Sequence, residues 1–204
     1  MKTVTVSREF GSGGRELGRR LAEALGLRYY DREIISALAE SENLDEDYLG
    51  SLVDQGFAAG YQYTFRRSFS LMPPPTPRSA QYLAKQHRLV RALAEKGDCL
   101  FVGRGADVVL AEKRPLRIFV HAAEEAKLRR CRERAPEDEK LSDKALISKM
   151  KQIDHARADC HDVIAEHPWG DRRGYELCVN TTDVEIEEII PALAEYAGSW
   201  FKKK

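Results

Sequence analysis

Lys2–Val6 alternates threonine with valine, the period-two pattern of a short strand. Residues 14–25 change to a helical period, with Leu17, Leu21 and Leu25 on one side and Gly26 as a stop. "LRYY" (27–30) predicts a second short strand, and Asp31 is placed to N-cap a helix running through Ala39. Residues 43–55 allow another short helix, and residues 56–78 then break every period with glycines, aromatics and prolines. So long an irregular stretch predicts a functional flap or a mobile segment. A helix resumes from Ser79 to Lys96, with Leu83, Val90 and Leu93 among its apolar positions. "CLFV" (99–102) and "LRIFVH" (116–121) are apolar runs suited to buried strands. An arginine-rich helix over 123–134 follows, broken at Pro136. Next comes a long amphipathic stretch from Leu141 to about Ala165, with Leu146, Met150, Ile153, Ala156 and Cys160 on one side. "YELCVN" (175–180) predicts the last strand. Thr182 and Glu185 have capping-box spacing for a final helix, which Pro191 is expected to kink or split. Short strands alternating with helices predict an α/β chain, a parallel sheet covered on both faces.

Composition narrows the class. The 204 residues suit one domain over 1–204, and the 33 basic residues balance the 33 acidic ones. No overall field therefore draws the protein to nucleic acid or to a membrane. Cys99, Cys131, Cys160 and Cys178 are scattered without ligand spacing and are expected to be reduced thiols in or near the core. The N-terminus lacks a basic-then-apolar signal region, and no apolar run approaches the roughly 20 residues of a membrane span. A cytoplasmic enzyme is the expectation, with a homodimer left open and Lys202–Lys204 as a solvated tail.

The stretch "SREFGSGGRELG" (7–18) joins the first strand to the first helix. Backbone N–H groups at a helix N-terminus point at one spot, and glycines let a phosphate come close. Gly11, Ser12, Gly13 and Gly14 supply those donors. The full phosphate-loop pattern GxxxxGK[ST] also needs a lysine for the outer phosphates and a hydroxyl for magnesium. No register provides them. With Gly14 as the second fixed glycine, Glu9 stands for the first glycine, Arg15 for the lysine and Glu16 for the hydroxyl. With Gly13 in that place, Arg8, Gly14 and Arg15 fill the same three positions. The loop alone is readable as a phosphate cradle or as a structural turn.

Other segments bear on that choice. "VTVSREFGSGGRELGRRLAEALGLRYYD", "FVGRGADVVL", "RIFVHAAEEAKLRRCRER" and "IDHARADCHDVIAEHPWGDRRGYELCVNTT" occur in this order. Together they resemble the cytidylate-kinase-like proteins, relatives of the nucleoside monophosphate kinases. The resemblance spans nearly the whole chain and is weakest over 40–80. It implies a P-loop NTPase-like three-layer α/β domain, a parallel sheet flanked by helices with a helical lid near 129–145. It further implies a kinase that moves the γ-phosphoryl group of ATP, with Mg2+, to CMP or a related nucleoside monophosphate. Residues 13–31 compare with cytidylate kinases without a gap, which favours the register with Gly14 at the lysine position and Arg15 at the hydroxyl position. Arginine suits bidentate contact with phosphate and cannot ligate magnesium.

The same resemblance gives roles to single residues. Gly11, Ser12, Gly13, Gly14, Arg15 and Glu16 would hold the donor nucleotide. Arg130 and Arg134, in a cluster with Arg129 and Arg132, would join Arg15 in stabilising the transferring group. Asp31, Arg104, Asp154 and Arg157 would hold the acceptor. Each has a plainer alternative: a helix cap for Asp31, a salt bridge for Arg104, a helical ion pair for Asp154 with Arg157, and a solvated helix end for the arginine cluster. Gly105 follows Arg104 where the related kinases carry aspartate, so the base preference is open. His121, His155, His161 and His167 form no ligand set, and Trp169 and Tyr175 are read as packing. The rival readings are a nucleotide-binding regulatory module without catalysis, and a kinase for another small acceptor.

Overall fold

The computed structural model describes residues 1–31, 34–35, 77–103, 105–136 and 139–202. Arg104 lies outside these residues, as do the helix expected over 43–55, most of that over 31–39 and the segment 56–76.

Five parallel strands form one sheet: β1 (Thr3–Arg8), β2 (Arg28–Tyr30), β3 (Cys99–Val102), β4 (Leu116–His121) and β5 (Leu177–Asn180), in the order β2-β3-β1-β4-β5. β1 is central, with Val4 and Val6 buried on one face and the small polar Thr3, Thr5 and Ser7 buried on the other. Val4 and Val6 pair with Leu100 and Val102 of β3 and with Leu116 and Ile118 of β4. β1 extends two residues beyond the alternating pattern, since Ser7 and Arg8 pair with Phe119 and Val120. The neighbouring strand, not local hydrophobicity, sets its end.

Helix α1 (Gly14–Leu25) lies on the Val4/Val6 face. Gly18 lets it approach so closely that a Cβ there would stand 2.7 Å from Val102. On the opposite face are α2 (Pro77–Glu95) and the short α3 (Ala106–Val109), which contact each other. Ser7, on that face of β1, is buried. α4 (Glu124–Glu133) follows β4, and α5 (Asp143–Asp162) begins where the Ser142 hydroxyl accepts the Ala145 N–H at 3.3 Å. α6 (Ile186–Lys202) packs beside α1 and runs through Pro191 unbroken. The expected Thr182–Glu185 box is replaced by a tertiary bond. Thr182 Oγ1 accepts the N–H of Ala123 at 2.9 Å and donates to Asn180 Oδ1 at 2.6 Å.

A main core of sheet, α1, α2 and α6 side chains is accompanied by a second cluster of Phe10, Cys131, Leu146, Met150 and Ile153. Phe10 belongs to the glycine loop, so α4 and α5 are docked directly onto it. Cys99 and Cys131 are buried, and that burial raises each thiol to about 11. Trp169 and Tyr175 pack on Phe119, with ring centroids 5.2 and 5.0 Å away. Among the described residues no helix is long and apolar enough to cross a membrane.

Candidate functional site: the glycine loop and its arginine cleft

Residues 9–13 connect the C-terminal end of β1 to the N-terminus of α1, where open α/β sheets place their ligands. Gly11 and Gly13 both have φ 78°, a conformation that costs other L-residues roughly 1–2 kcal/mol. The surroundings also exclude side chains here. A Cβ on Gly11 would meet the Lys127 carbonyl at 2.9 Å, and one on Gly13 would meet Ile186 Cδ1 at 2.8 Å. Gly13 is the N-cap of α1 and offers no side chain to its first N–H groups. No side chain caps that end of the helix, and the helix dipole lies behind it.

Protein contacts fix the loop from behind. The fully buried Ser12 donates its hydroxyl to Glu9 O at 2.8 Å, and its own carbonyl accepts from Thr181 Oγ1 at 2.7 Å. Glu9 accepts from Lys127 Nζ at 2.9 Å and from Ala122 N at 3.3 Å. α5 grips the main chain at two points. Asp154 Oδ1 accepts the Phe10 N–H at 2.7 Å, and Arg157 Nη1 donates to Arg8 O at 3.0 Å and to Asp154 at 3.1 Å. The Arg157 guanidinium also lies 5.6 Å above the centre of the Phe10 ring. Burial raises the Asp154 pKa, with Arg157 and the Phe10 N–H opposing. Here Asp154 and Arg157 shape the loop.

Two charged networks flank it. On the β2 side, Arg15 Nε and Nη2 both contact Asp31 Oδ2, at 2.8 and 2.7 Å. Asp31 is buried and also caps a helical turn, accepting the Ile34 N–H at 3.2 Å. The two residues expected at donor and acceptor sites are thus partners of each other. Burial first, and then the Asp31 charge, push the nearby Tyr29 phenol well above its usual pKa.

On the other side, a cleft of about 500 Å3 opens between α1, the end of α4 and the link into α6. Arg129, Arg130 and Arg134 line it with Glu16, Arg20 and Glu185–Glu188. Arg130 is buried at its base, and its Nη2 donates to Thr181 O and to Val184 O. Its Nη1 donates to Thr181 Oγ1 at 3.3 Å, so it secures the turn behind Ser12. Burial, then repulsion from Arg134 and Arg129, lowers its pKa. Arg134 reaches across to Glu16, which also accepts from Arg20 Nε at 3.0 Å, and Arg20 continues to Glu187 at 3.1 Å. Arg132 ties the 134–142 connection through Leu141 O at 2.6 Å.

The structure therefore gathers Gly11 to Gly14, Glu16, Arg130 and Arg134 around one loop and cleft. It places Arg15 with Asp31, and Asp154 with Arg157 behind the loop. Sequence reasoning missed Glu9, Lys127 and Thr181, whose roles arise from contacts across more than 100 residues. It missed also the buried His161–Asp107 pair, whose Nε2 and Oδ2 are 2.9 Å apart.

The sheet is all parallel, and the glycine loop joins its central strand β1 to α1. Residues 3–183 match the model of the cytidylate kinase-like family, and the chain belongs to that family. It is similar to the crystal structure of an uncharacterized protein from Eubacterium ventriosum, at 22% identity and TM-score 0.71, covering 98% of this chain and 99% of that one. It is similar also to shikimate kinase from Bacteroides thetaiotaomicron, at 15% identity and TM-score 0.55, covering 96% and 97% of the two chains. A gluconokinase from Sinorhizobium meliloti, at 15% identity and TM-score 0.52, covers 100% of this chain and 97% of its own. No curated protein matches the chain significantly.

Proposed function

We propose that the chain acts as one domain that binds ATP and transfers its γ-phosphoryl group to a nucleoside monophosphate, CMP being first choice. The observation that carries this reading is the loop itself. Gly11, Gly13 and Gly14 leave no room for side chains, and they present uncapped N–H groups beside an arginine-lined cleft. Phosphoryl transfer depends mainly on positioning and on cations around developing charge, which this arrangement supplies. Arg134 and Arg129 would face the transferring group, while Arg130 holds the wall they stand on. For Arg15 to bind phosphate it must leave Asp31.

Magnesium normally bridges the donor phosphates. Among the described residues no group of three His, Cys, Asp or Glu could cage a metal, and the Glu16 carboxylate is held by Arg20 and Arg134. In this reading Mg2+ would be held mostly by phosphate oxygens and water, with no carboxylate cage supplied by the described residues.

The Arg15–Asp31 pair favours a second reading, a nucleotide-binding module without turnover. A coupled ADP-release assay separates the two. ATP, Mg2+ and a panel of nucleoside monophosphates, shikimate and gluconate are supplied, and ATP affinity is measured by calorimetry alongside. Turnover with a monophosphate supports the proposal, and turnover with shikimate or gluconate alone moves the acceptor to a small hydroxy compound. ATP binding without any turnover establishes the module.

A further inference from the structure

We infer that Arg8 supplies the side-chain cation of this phosphate loop, in place of the lysine that the loop lacks. The inference rests on the nucleotide-binding reading above and adds a residue to it. Its basis is the space around Gly14. A Cβ on Gly14 would stand 2.5 Å from Arg8 Cβ, 2.9 Å from Arg8 Cγ and 3.2 Å from Val120 Cβ. These are atoms close to the backbone, which cannot swing aside as the tip of a side chain can. The path that a lysine at position 14 would take is therefore filled by the stem of Arg8.

That stem is held at its root. Arg8 is the last residue of β1, paired with Val120, and its carbonyl accepts from Arg157 at 3.0 Å. From there the side chain runs along the C-terminal edge of the sheet towards β3. A Cβ on Gly103, the residue after β3, would fall 2.1 Å from Arg8 Nη1 and 3.1 Å from Cζ. The guanidinium thus occupies the space beside Gly103 that a side chain there would take.

The exchange is reciprocal. In the favoured register Gly14 stands where the lysine belongs, and Arg8 stands where the first glycine belongs. Glycine at 14 opens the space that arginine at 8 enters. A guanidinium presents paired donors that match two phosphate oxygens, and it is charged at every working pH. Arg15 and Lys127, which approach the loop from the helices, are bound to the carboxylates of Asp31 and Glu9. Arg8 thus brings a cation to the loop by a different route, from the strand side and not from the helix.

The test is calorimetric titration of ATP with Mg2+ into the full chain and four variants, each checked for folding by circular dichroism. Arg8→Ala is expected to weaken binding at least about tenfold, and Arg8→Lys by less. Gly14→Lys alone should bind no better than the parent, because its side chain meets Arg8. The double variant Arg8→Gly with Gly14→Lys returns the loop to the ordinary pattern and should recover affinity to within about threefold. A purely structural role for Arg8 predicts no such recovery. Folded Arg8→Ala that binds ATP within about twofold of the parent overturns the inference and leaves the nucleotide reading intact. If Arg8→Ala does not fold, the double variant decides: folded without affinity, it sinks the inference. A parent protein with no affinity for ATP overturns both.

Discussion

Arginines beside carboxylates flank the glycine loop on both sides, yet the two flanks are built differently. On the β2 flank, Arg15 places two nitrogens on one oxygen of a buried aspartate that also caps a helical turn. On the α4–α6 flank, Arg134, Glu16, Arg20 and Glu187 form a partly exposed chain along the mouth of a cleft. A buried, multiply bonded pair is costly to break, whereas partly exposed pairs exchange partners at little cost. On these grounds we propose that the first flank serves stability and the second ligand exchange. Arg130 belongs to neither, being the buried wall between cleft and loop.

The largest effect is expected at that wall. Arg130→Ala removes the donor to two main-chain carbonyls, Thr181 O and Val184 O, and should cost about 2–4 kcal/mol in urea denaturation. Loss of less than about 1 kcal/mol would show that the wall stands without it. Asp31→Ala comes next. It should lower stability by roughly 1–3 kcal/mol and change ATP affinity less than threefold. A variant that keeps its stability and loses ATP would reverse the assignment of the two flanks. Arg134→Ala should do the opposite, costing under about 1 kcal/mol of stability while weakening ATP about five- to tenfold.

A smaller effect depends on pH. His161 is buried against Asp107 and Asp162, at 2.9 and 3.1 Å. Burial opposes its charge, but the hydrogen bonds and charges of the two aspartates outweigh it and raise the pKa above 6.5. Because the folded value is the higher one, the stabilisation is fully present below pH 6.5 and fades as pH rises through the folded value. His161→Gln should therefore destabilise more near pH 6 than near pH 9. Equal losses at both would mean that the imidazole is neutral in the folded protein. Least of all should follow from the exposed Arg19–Glu23 pair, where Arg19→Ala is expected to shift stability by no more than about 0.5 kcal/mol.

Much of the frame was legible because each element carried its own boundary. α1 runs over 14–25 as its leucine period and Gly26 predict, and β3 and β4 coincide with the apolar runs 99–102 and 116–121. The parallel sheet followed from the alternation of strands and helices. Where a partner sets the geometry, local pattern failed. β1 ends at Arg8 because β4 continues beside it, and Thr182 serves Ala123 and not a box with Glu185. The site divided in the same way. The loop's glycines were readable from the chain, while the Arg15–Asp31 pair and the arginine behind Thr181 came from tertiary contact. Arg8 did leave a sign, since it was the residue standing where one register wanted glycine.

The way α5 and Thr181 hold the loop also sets an order of events in time. Phe10 is tied to a residue 144 positions later, and Ser12 to one 169 positions later. At roughly 5–20 residues per second, a ribosome needs on the order of 10–30 s to make the chain between them. The most N-terminal part of the site is thus the last to be finished. A nascent chain stalled before Asp154 would carry all its loop glycines and still lack the shape proposed to receive a phosphate. Nucleotide capture during synthesis should accordingly begin only as the final quarter of the protein emerges.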